Sequence, residues 1–215
     1  MLRQASLAYA CPSSQTLGVA NAAQSLRSSK LVAMSSVQVC ALPEHALLAK
    51  YARGGSYTDC YATEVPGTVP HAQYVEAFYT GALFKLERVL LAWFASRPST
   101  DAQAKELAYG ALGTFAAWRV EERSANQLLM CDLSGRTRSW LMVAPAGSGS
   151  SAFTRLYFGS AVVPVVHKHS GQARLGFTFK ALLGFHKLYS RALLSAARSR
   201  LARSGGTEHA PQSDA

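Results

Sequence analysis

The chain has few of the signals that would assign it a chemistry. Its four cysteines, Cys11, Cys40, Cys60 and Cys131, are scattered with no C-x-x-C or Cys/His spacing. Neither a zinc site nor a disulfide framework is therefore indicated, and reduced thiols in a cytoplasm suit this pattern. No apolar run approaches the ~18 to 20 residues that a membrane-spanning helix needs. No cofactor fingerprint is present either, so we expect neither a cofactor nor a bound metal.

Acidic residues are absent from two segments of this chain, whose net charge is +10. Residues 1–43 hold three cations and no acid, and residues 174–203 hold seven cations and no acid. Residues 44–173, in contrast, hold twelve cations against ten acids. A nearly neutral central region argues against a nucleic-acid groove running through the domain. We therefore expect no nucleic-acid partner.

Composition divides the chain into three parts. Residues 1–43 are rich in Ser, Ala and Gln and show no sustained periodicity, which predicts a poorly ordered arm. Two other interpretations of this arm are a true translation start at Met34 and an organelle transit peptide. Residues 44–203 have the pattern of one folded domain, and the chain as a whole is 49% hydrophobic, enough for a sizeable core. Residues 204–215 are predicted to form a disordered tail.

The folded region predicts an α+β domain. Apolar spacing and turn residues predict a short helix over 46–51, a strand over 56–64, a long helix over 71–96 and a short helical piece over 101–110. Four further runs of alternating, β-branched and aromatic residues predict an antiparallel meander, because short connections favour antiparallel neighbours. These four runs are 114–122, 127–133, 137–144 and 152–163.

The stretch 175–201 predicts one long helix that closes the fold. Lys180, Lys187, Arg191 and Arg198 lie at offsets of 7, 11 and 18 residues, which places all four within about 40° of one another on one side of a helix. The opposite side is apolar and can cover a sheet, so we expect an antiparallel β-meander wrapped around a long C-terminal helix. The basic side is either a solubility feature or a weak contact for an anionic membrane surface.

Five residues are candidates for lining an interior space: Asp59, Trp118, Trp140, His186 and Tyr189. The two tryptophans lie on predicted strands and suit either a core or a cavity. His186 lies beside the apolar side of the closing helix, as a hydrogen-bonded core histidine or as a polar group of a pocket.

Asp59 interrupts an otherwise apolar-polar strand. It either forms an ion pair on the sheet with Arg119 or Arg138, or makes a polar contact inside a pocket.

The succession SYTDCYATEVPG, YVEAFYTGALFKLERVLLAWF, meander and GFHKLYSRALLSAA resembles a bacterial family found alone or fused behind short-chain-dehydrogenase-like domains. The resemblance covers 56–203 and is strongest over residues 185–191, whereas 163–171 departs from the family pattern. The family is similar in turn to the helix-grip (START/Bet v 1-like, SRPBCC) superfamily. That resemblance implies a curved antiparallel sheet around a long C-terminal helix and an apolar ligand cavity, and it implies no catalytic residues.

Three classes of function remain open at this stage. The leading hypothesis is a module that binds a hydrophobic small molecule or lipid between the sheet and the closing helix. The second is an enzyme of cyclase, dehydratase or hydrolase type in the same cavity, with His186 or Asp59 as the acid or base. The third is a peripheral membrane or partner-docking protein that uses the basic helix.

Overall fold

A computed structural model of the protein describes residues 36–86, 99–147, 152–164 and 177–205, with side chains of the last range described over 186–204. The chain divides into two units, Met1–Met34 and Ser35–Ala215. The first unit, and residues 206–215 of the tail predicted over 204–215, lie outside the described residues, whereas Ser204 and Gly205 of that tail belong to the last helix. All that follows concerns the second unit.

Within the described ranges, seven strands form one antiparallel sheet in the order β1-β2-β7-β6-β5-β4-β3. The class predicted from sequence, an α+β domain with an antiparallel meander and a C-terminal helix, is therefore confirmed. The first long strand, β2, pairs with the last strand, β7, over ten residue pairs. The strands are β1 Gln38–Val39, β2 Tyr57–Pro66, β3 Thr114–Phe115, β4 Trp118–Ser124, β5 Gln127–Asp132, β6 Thr137–Ala146 and β7 Phe153–Val162.

The helices are α1 Ala49–Arg53, α2 His71–Tyr79, α3 Asp101–Ala108 and α4 Phe177–Gly205, with a further helical segment over 82–86. Thr100 caps α3 with a reciprocal pair of hydrogen bonds to Gln103, which satisfies two amide groups at the helix start. The helix α4 closes the fold as predicted, and it extends four residues beyond the end that the apolar pattern indicated.

The single helix predicted over 71–96 is wrong, because α2 ends at Tyr79 and the chain bends at Thr80 and Gly81. Threonine and glycine are weak helix formers, and the Thr80 hydroxyl donates a hydrogen bond to the Glu76 carbonyl at 2.6 Å. A Cβ atom at Gly81 would lie 4.0 Å from the Ala196 Cβ of α4, an ordinary packing distance. Residues 87–96 of that prediction lie outside the described residues.

The single strand predicted over 114–122 is also wrong. The chain folds back between β3 and β4, which pair Phe115 with Trp118. Ala116 in the turn has a φ of 54°, a left-handed conformation that non-glycine residues adopt rarely. Periodicity does not detect this turn because neither glycine nor proline marks it.

Part of the arm predicted to be poorly ordered over 1–43 is ordered. Gln38 and Val39 form β1 and pair with Ala62 and Tyr61 of β2. A strand of two residues has too little pattern to be recognised from sequence, and its stability comes from the long neighbour on which it is laid.

The central strands are buried on both faces, and each face has its own core. Leu141, Leu156 and Phe158 belong to the larger core under α2, α3 and α4. Trp140 and Met142 belong to a smaller core that Leu48 and Ala49 cover from the other side. Successive residues of one strand therefore enter opposite cores, as the two-residue period of a strand requires.

Gly159 of β7 marks the closest approach in the smaller core. A Cβ atom at this position would lie 2.9 Å from the Leu48 side chain and 3.0 Å from the Trp140 ring. Leu48 and Trp140 thus fill the space that a side chain would occupy, and any larger residue would force the covering segment away from the sheet.

Two leucines of α4 test the orientation of the closing helix. Leu194 is fully buried and Leu188 is 69% exposed. Leu194→Ala should lower the free energy of unfolding by about 2 to 5 kcal/mol because it leaves a cavity in the core, and Leu188→Ala should lower it by less than about 0.5 kcal/mol. Urea unfolding of both variants measures the difference, and similar losses would show that α4 is rotated from the described orientation.

His71, at the start of α2, should make stability depend on pH. Burial lowers its pKa from 6.5 to about 4, against the opposing effect of a hydrogen bond to the Leu141 backbone. The unfolded chain therefore binds a proton below pH 6.5 that the folded protein does not, so stability is complete above about pH 6.5 and falls as the pH drops towards 4, by up to about 3 kcal/mol.

Urea unfolding between pH 4 and 7 measures this loss. His71→Phe should flatten the profile in that range, whereas replacement of the exposed His45 by Gln should leave the profile as it is. An unchanged profile in His71→Phe would contradict the assignment.

Candidate functional site

A cavity of about 150 Å³ lies between the sheet and the helices α2 and α4. Most of its wall is aromatic and apolar, and several hydroxyl groups, the His186 imidazole and Arg138 interrupt it. The apolar part comes from Phe78, Tyr79, Phe84, Trp118, Phe158 and Leu193. Pockets of this composition suit a ligand that is mainly apolar and is oriented by few polar contacts.

Three of the five residues singled out from the sequence line this cavity: Trp118, His186 and Tyr189. They come from β4 and from two positions of α4 that are three residues apart, so one helix turn presents both to the sheet. The structure thus places these three candidates in the wall of one cavity. The remaining two, Trp140 and Asp59, lie elsewhere.

The structure does not place Trp140 in the cavity. Its ring is fully buried in the smaller core on the opposite face of the sheet, and its Nε1 donates to Gln127 Oε1 at 2.9 Å. The reason is parity within β6, because the neighbours Ser139 and Leu141 point to the face that α4 covers and Trp140 must point the other way. Its assignment as a cavity-lining residue is corrected accordingly.

Asp59 contacts the cavity wall through Ser160 of β7, its partner in the ladder. Asp59 Oδ1 accepts hydrogen bonds from the Ser160 hydroxyl at 2.6 Å and from the Ser160 amide at 3.1 Å. The Ser160 hydroxyl also lies 2.7 Å from His186 Nε2, which is 3.6 Å from Asp59 Oδ2. One hydroxyl thus joins a carboxylate on β2 to an imidazole on α4.

The protons of this cluster can be assigned by counting. An ionised carboxylate only accepts hydrogen bonds, so the single proton of the Ser160 hydroxyl points to Asp59. His186 Nε2 must then carry a proton and donate it to the Ser160 oxygen. A nucleophilic serine needs the opposite arrangement, in which the imidazole accepts the hydroxyl proton. The hydrogen bonds of this cluster therefore fix the orientation of His186 and do not activate Ser160.

Two tyrosines complete the surroundings of Asp59. The hydroxyls of Tyr57 and Tyr61 each donate to Asp59 Oδ2 at 3.5 Å. Burial, followed by the Asp59 charge, raises the pKa of Tyr57 to about 12 and raises that of Tyr61 as well. Both phenols therefore remain protonated donors at neutral pH, and Asp59 has donors on both of its oxygens.

The predicted ion pair between Asp59 and Arg138 or Arg119 is wrong. Arg138 pairs with Glu121 at 2.6 Å, and the Arg119 guanidinium lies 3.6 Å from the Cys131 sulfur. Both arginines extend to the face opposite Asp59, again because of strand parity. Asp59 instead makes polar contacts with Ser160, Tyr57 and Tyr61, and it is not among the residues that line this cavity.

The hydroxyl of Ser190 on α4 is the least satisfied group of the cavity. Ser190 is fully buried and lines the cavity, and its Oγ has no hydrogen-bond partner among the described residues. A buried polar group without a partner costs about 1 to 3 kcal/mol.

Neither Ser160 nor Ser190 was among the residues predicted from sequence, although Ser160 lies two residues after Phe158 and so shares its face of β7.

The basic side of α4 is only partly available. Lys187 and Arg191 are exposed, Arg198 is half-buried, and the side chain of Lys180 lies outside the described residues. The Arg191 guanidinium also donates to the Val37 carbonyl at 3.2 Å. At least one of the four cations thus holds the segment before β1, which reduces the charge available to an external surface.

Among the helices of the described ranges, none is both long and apolar enough to cross a bilayer. Within the same ranges, no group of three or more His, Cys, Asp and Glu side chains is arranged to hold a metal ion. Comparison with models of known protein families, with curated proteins and with solved structures finds no match to this chain. The geometry of the site is therefore the basis for assigning a function to this chain.

Two serines that face each other across β6 and β7 test the role of the cluster. Ser139 and Ser160 are ladder partners and both line the cavity. Ser160→Ala should cost about 1 to 3 kcal/mol of stability, because Asp59 and His186 lose a shared partner in a buried setting. Ser139→Ala should cost less than half as much, and equal losses in chemical unfolding would contradict a special role for Ser160.

Proposed function

We propose that the protein binds a small, mainly apolar molecule with one hydrogen-bonding group in the cavity between the sheet and α4. The observation that carries the proposal is the Ser190 hydroxyl, which is fully buried, faces the cavity and has no partner in the described part of the chain. A ligand with a hydroxyl or carbonyl group would supply that partner and remove the cost of leaving it unsatisfied.

The size of the cavity narrows the class of ligand. Pockets for drug-sized molecules usually have about 300 to 1,000 Å³, whereas this cavity has about 150 Å³. An apolar cavity of about that volume holds one benzene-sized molecule. A single substituted ring, such as a phenol, therefore suits the space better than a whole lipid, and the ring faces of Phe78 and Phe158 can pack against it.

The topology supports the finer fold assignment that we propose, a helix-grip domain. In that arrangement the first strand pairs with the last, helices follow the first strand, and a long helix follows the meander. The pairing of β2 with β7 and the position of α2, α3 and α4 follow the same order. Membership of the bacterial family that the sequence resembles is likewise a proposal.

Benzene and phenol, which differ by one hydroxyl, test the proposal. Isothermal titration calorimetry of the full chain should show saturable one-to-one binding of both, with phenol about tenfold tighter because of one additional hydrogen bond. Ser190→Ala should bring the two affinities together, and Ser190→Leu should abolish both because leucine fills the cavity. Absence of saturable binding by the folded wild-type protein would overturn the proposal.

A second candidate function is supported by the position of His186. Its Nε2 proton is held by Ser160 at the edge of the cavity, so in an enzyme of cyclase or dehydratase type the ring would act as a general acid. His186→Asn separates the two functions. A binding protein should retain its affinity for benzene within about tenfold, whereas an enzyme would lose turnover of its substrate by about 10²-fold or more.

A hydrolase with Ser160 as nucleophile is disfavoured by the proton assignment given above.

Contact of the basic helix with an anionic membrane surface, through Lys187 and Arg191, stays a prediction. It would appear as cosedimentation with anionic vesicles that salt reverses.

A further inference from the structure

Cys40 and Cys60 face each other at the edge of the sheet. The Cys40 amide donates to the Cys60 carbonyl at 3.0 Å, which continues the pairing of β1 with β2 one residue beyond Val39 and Tyr61. The two sulfur atoms lie 3.2 Å apart, and both cysteines are in the thiol form. Cysteines 20 positions apart in sequence are thus neighbours in space.

The geometry permits a disulfide with little movement. Directly opposite residues of an antiparallel pair have Cβ atoms about 4.5 to 5.5 Å apart, and a disulfide requires about 3.5 to 4.5 Å. Because Cys40 follows a strand of only two residues at the sheet edge, its backbone can approach β2 without disturbing the central ladder.

The two thiols differ in exposure and acidity. Cys40 is half-buried and lines an open groove of about 320 Å³, whereas Cys60 is 3% exposed. The hydrogen bond between the two sulfur atoms lowers the pKa of Cys40 despite the opposing effect of burial, and the same contact together with burial raises the pKa of Cys60. A partly accessible thiol with a lowered pKa, in contact with a second and more buried thiol, is the arrangement of reversible thiol oxidation.

We propose that Cys40 and Cys60 form a site of reversible thiol oxidation, in which Cys40 reacts with a low-molecular-weight disulfide such as oxidised glutathione and Cys60 resolves the adduct. The Cys40 thiolate attacks one sulfur of the oxidant, forms a mixed disulfide and expels the first thiolate. The Cys60 thiol then loses its proton, attacks the Cys40 sulfur and expels the second thiolate. Two electrons pass to the oxidant, which leaves as two thiols, and the protein gains one disulfide.

Peptide mapping by mass spectrometry of the full, prereduced chain after exposure to oxidised glutathione tests this site. The wild-type protein should yield a Cys40–Cys60 crosslinked peptide that dithiothreitol removes. Cys60→Ala should stop at a stable glutathione adduct on Cys40, and Cys40→Ser should leave Cys60 unmodified. In the reduced native protein, Cys40 should be alkylated at least about tenfold faster than the fully buried Cys131.

Any one of three results would overturn the proposal. These results are a glutathione adduct that persists on Cys40 of the wild-type protein, a crosslink of Cys40 to Cys11 instead of Cys60, and alkylation of Cys40 no faster than that of Cys131. Far-ultraviolet circular dichroism of each variant, together with slow alkylation of Cys131, verifies that the variants are folded.

Discussion

The burial of both faces of the central strands is the constraint on which the other features depend. A sheet with two apolar faces is stable only if each face is covered, and this chain covers one with three helices and the other with the short segment around α1. The helical layer leaves a cavity between the sheet, α2 and α4. The opposite layer is thin and close-packed, and Gln127 fixes it by accepting from the Leu47 amide and donating to the His45 carbonyl.

A connected cluster of polar groups lies where β2 and β7 meet α4. Asp59 is tolerated there because hydroxyl and amide donors surround its carboxylate, and a charge so solvated needs no cationic partner. The same donors fix the position of His186 relative to the cavity. Ser160 contacts His186 and also forms part of the cavity wall. The same small network therefore orients the histidine and lines the space proposed for the ligand.

The sequence predicted most helices and strands well, because alternation, helical spacing and turn residues each depend only on residues that are close together in the chain. The strands β5, β6 and β7 lie within two residues of their predicted limits. Two failures are local, namely the bend after Tyr79 and the turn at Ala116, and the others involve distant partners. The face that Trp140 occupies depends on the register of β6. The contacts of Ser160, and the approach of Cys40 to Cys60, depend on strand pairings that no local pattern contains.

Gly159 has a consequence for recognising distant relatives of this protein. The position opposes Cys60 on one side and Trp140 on the other, and the leucine that covers it leaves no room for a Cβ. A substitution there would require compensating changes in Leu48 and Trp140, which lie far away in sequence. A glycine in the last strand, matched with a tryptophan in the strand before it and a leucine ahead of the first long strand, is therefore a sparse signature. It can persist after overall sequence similarity has faded.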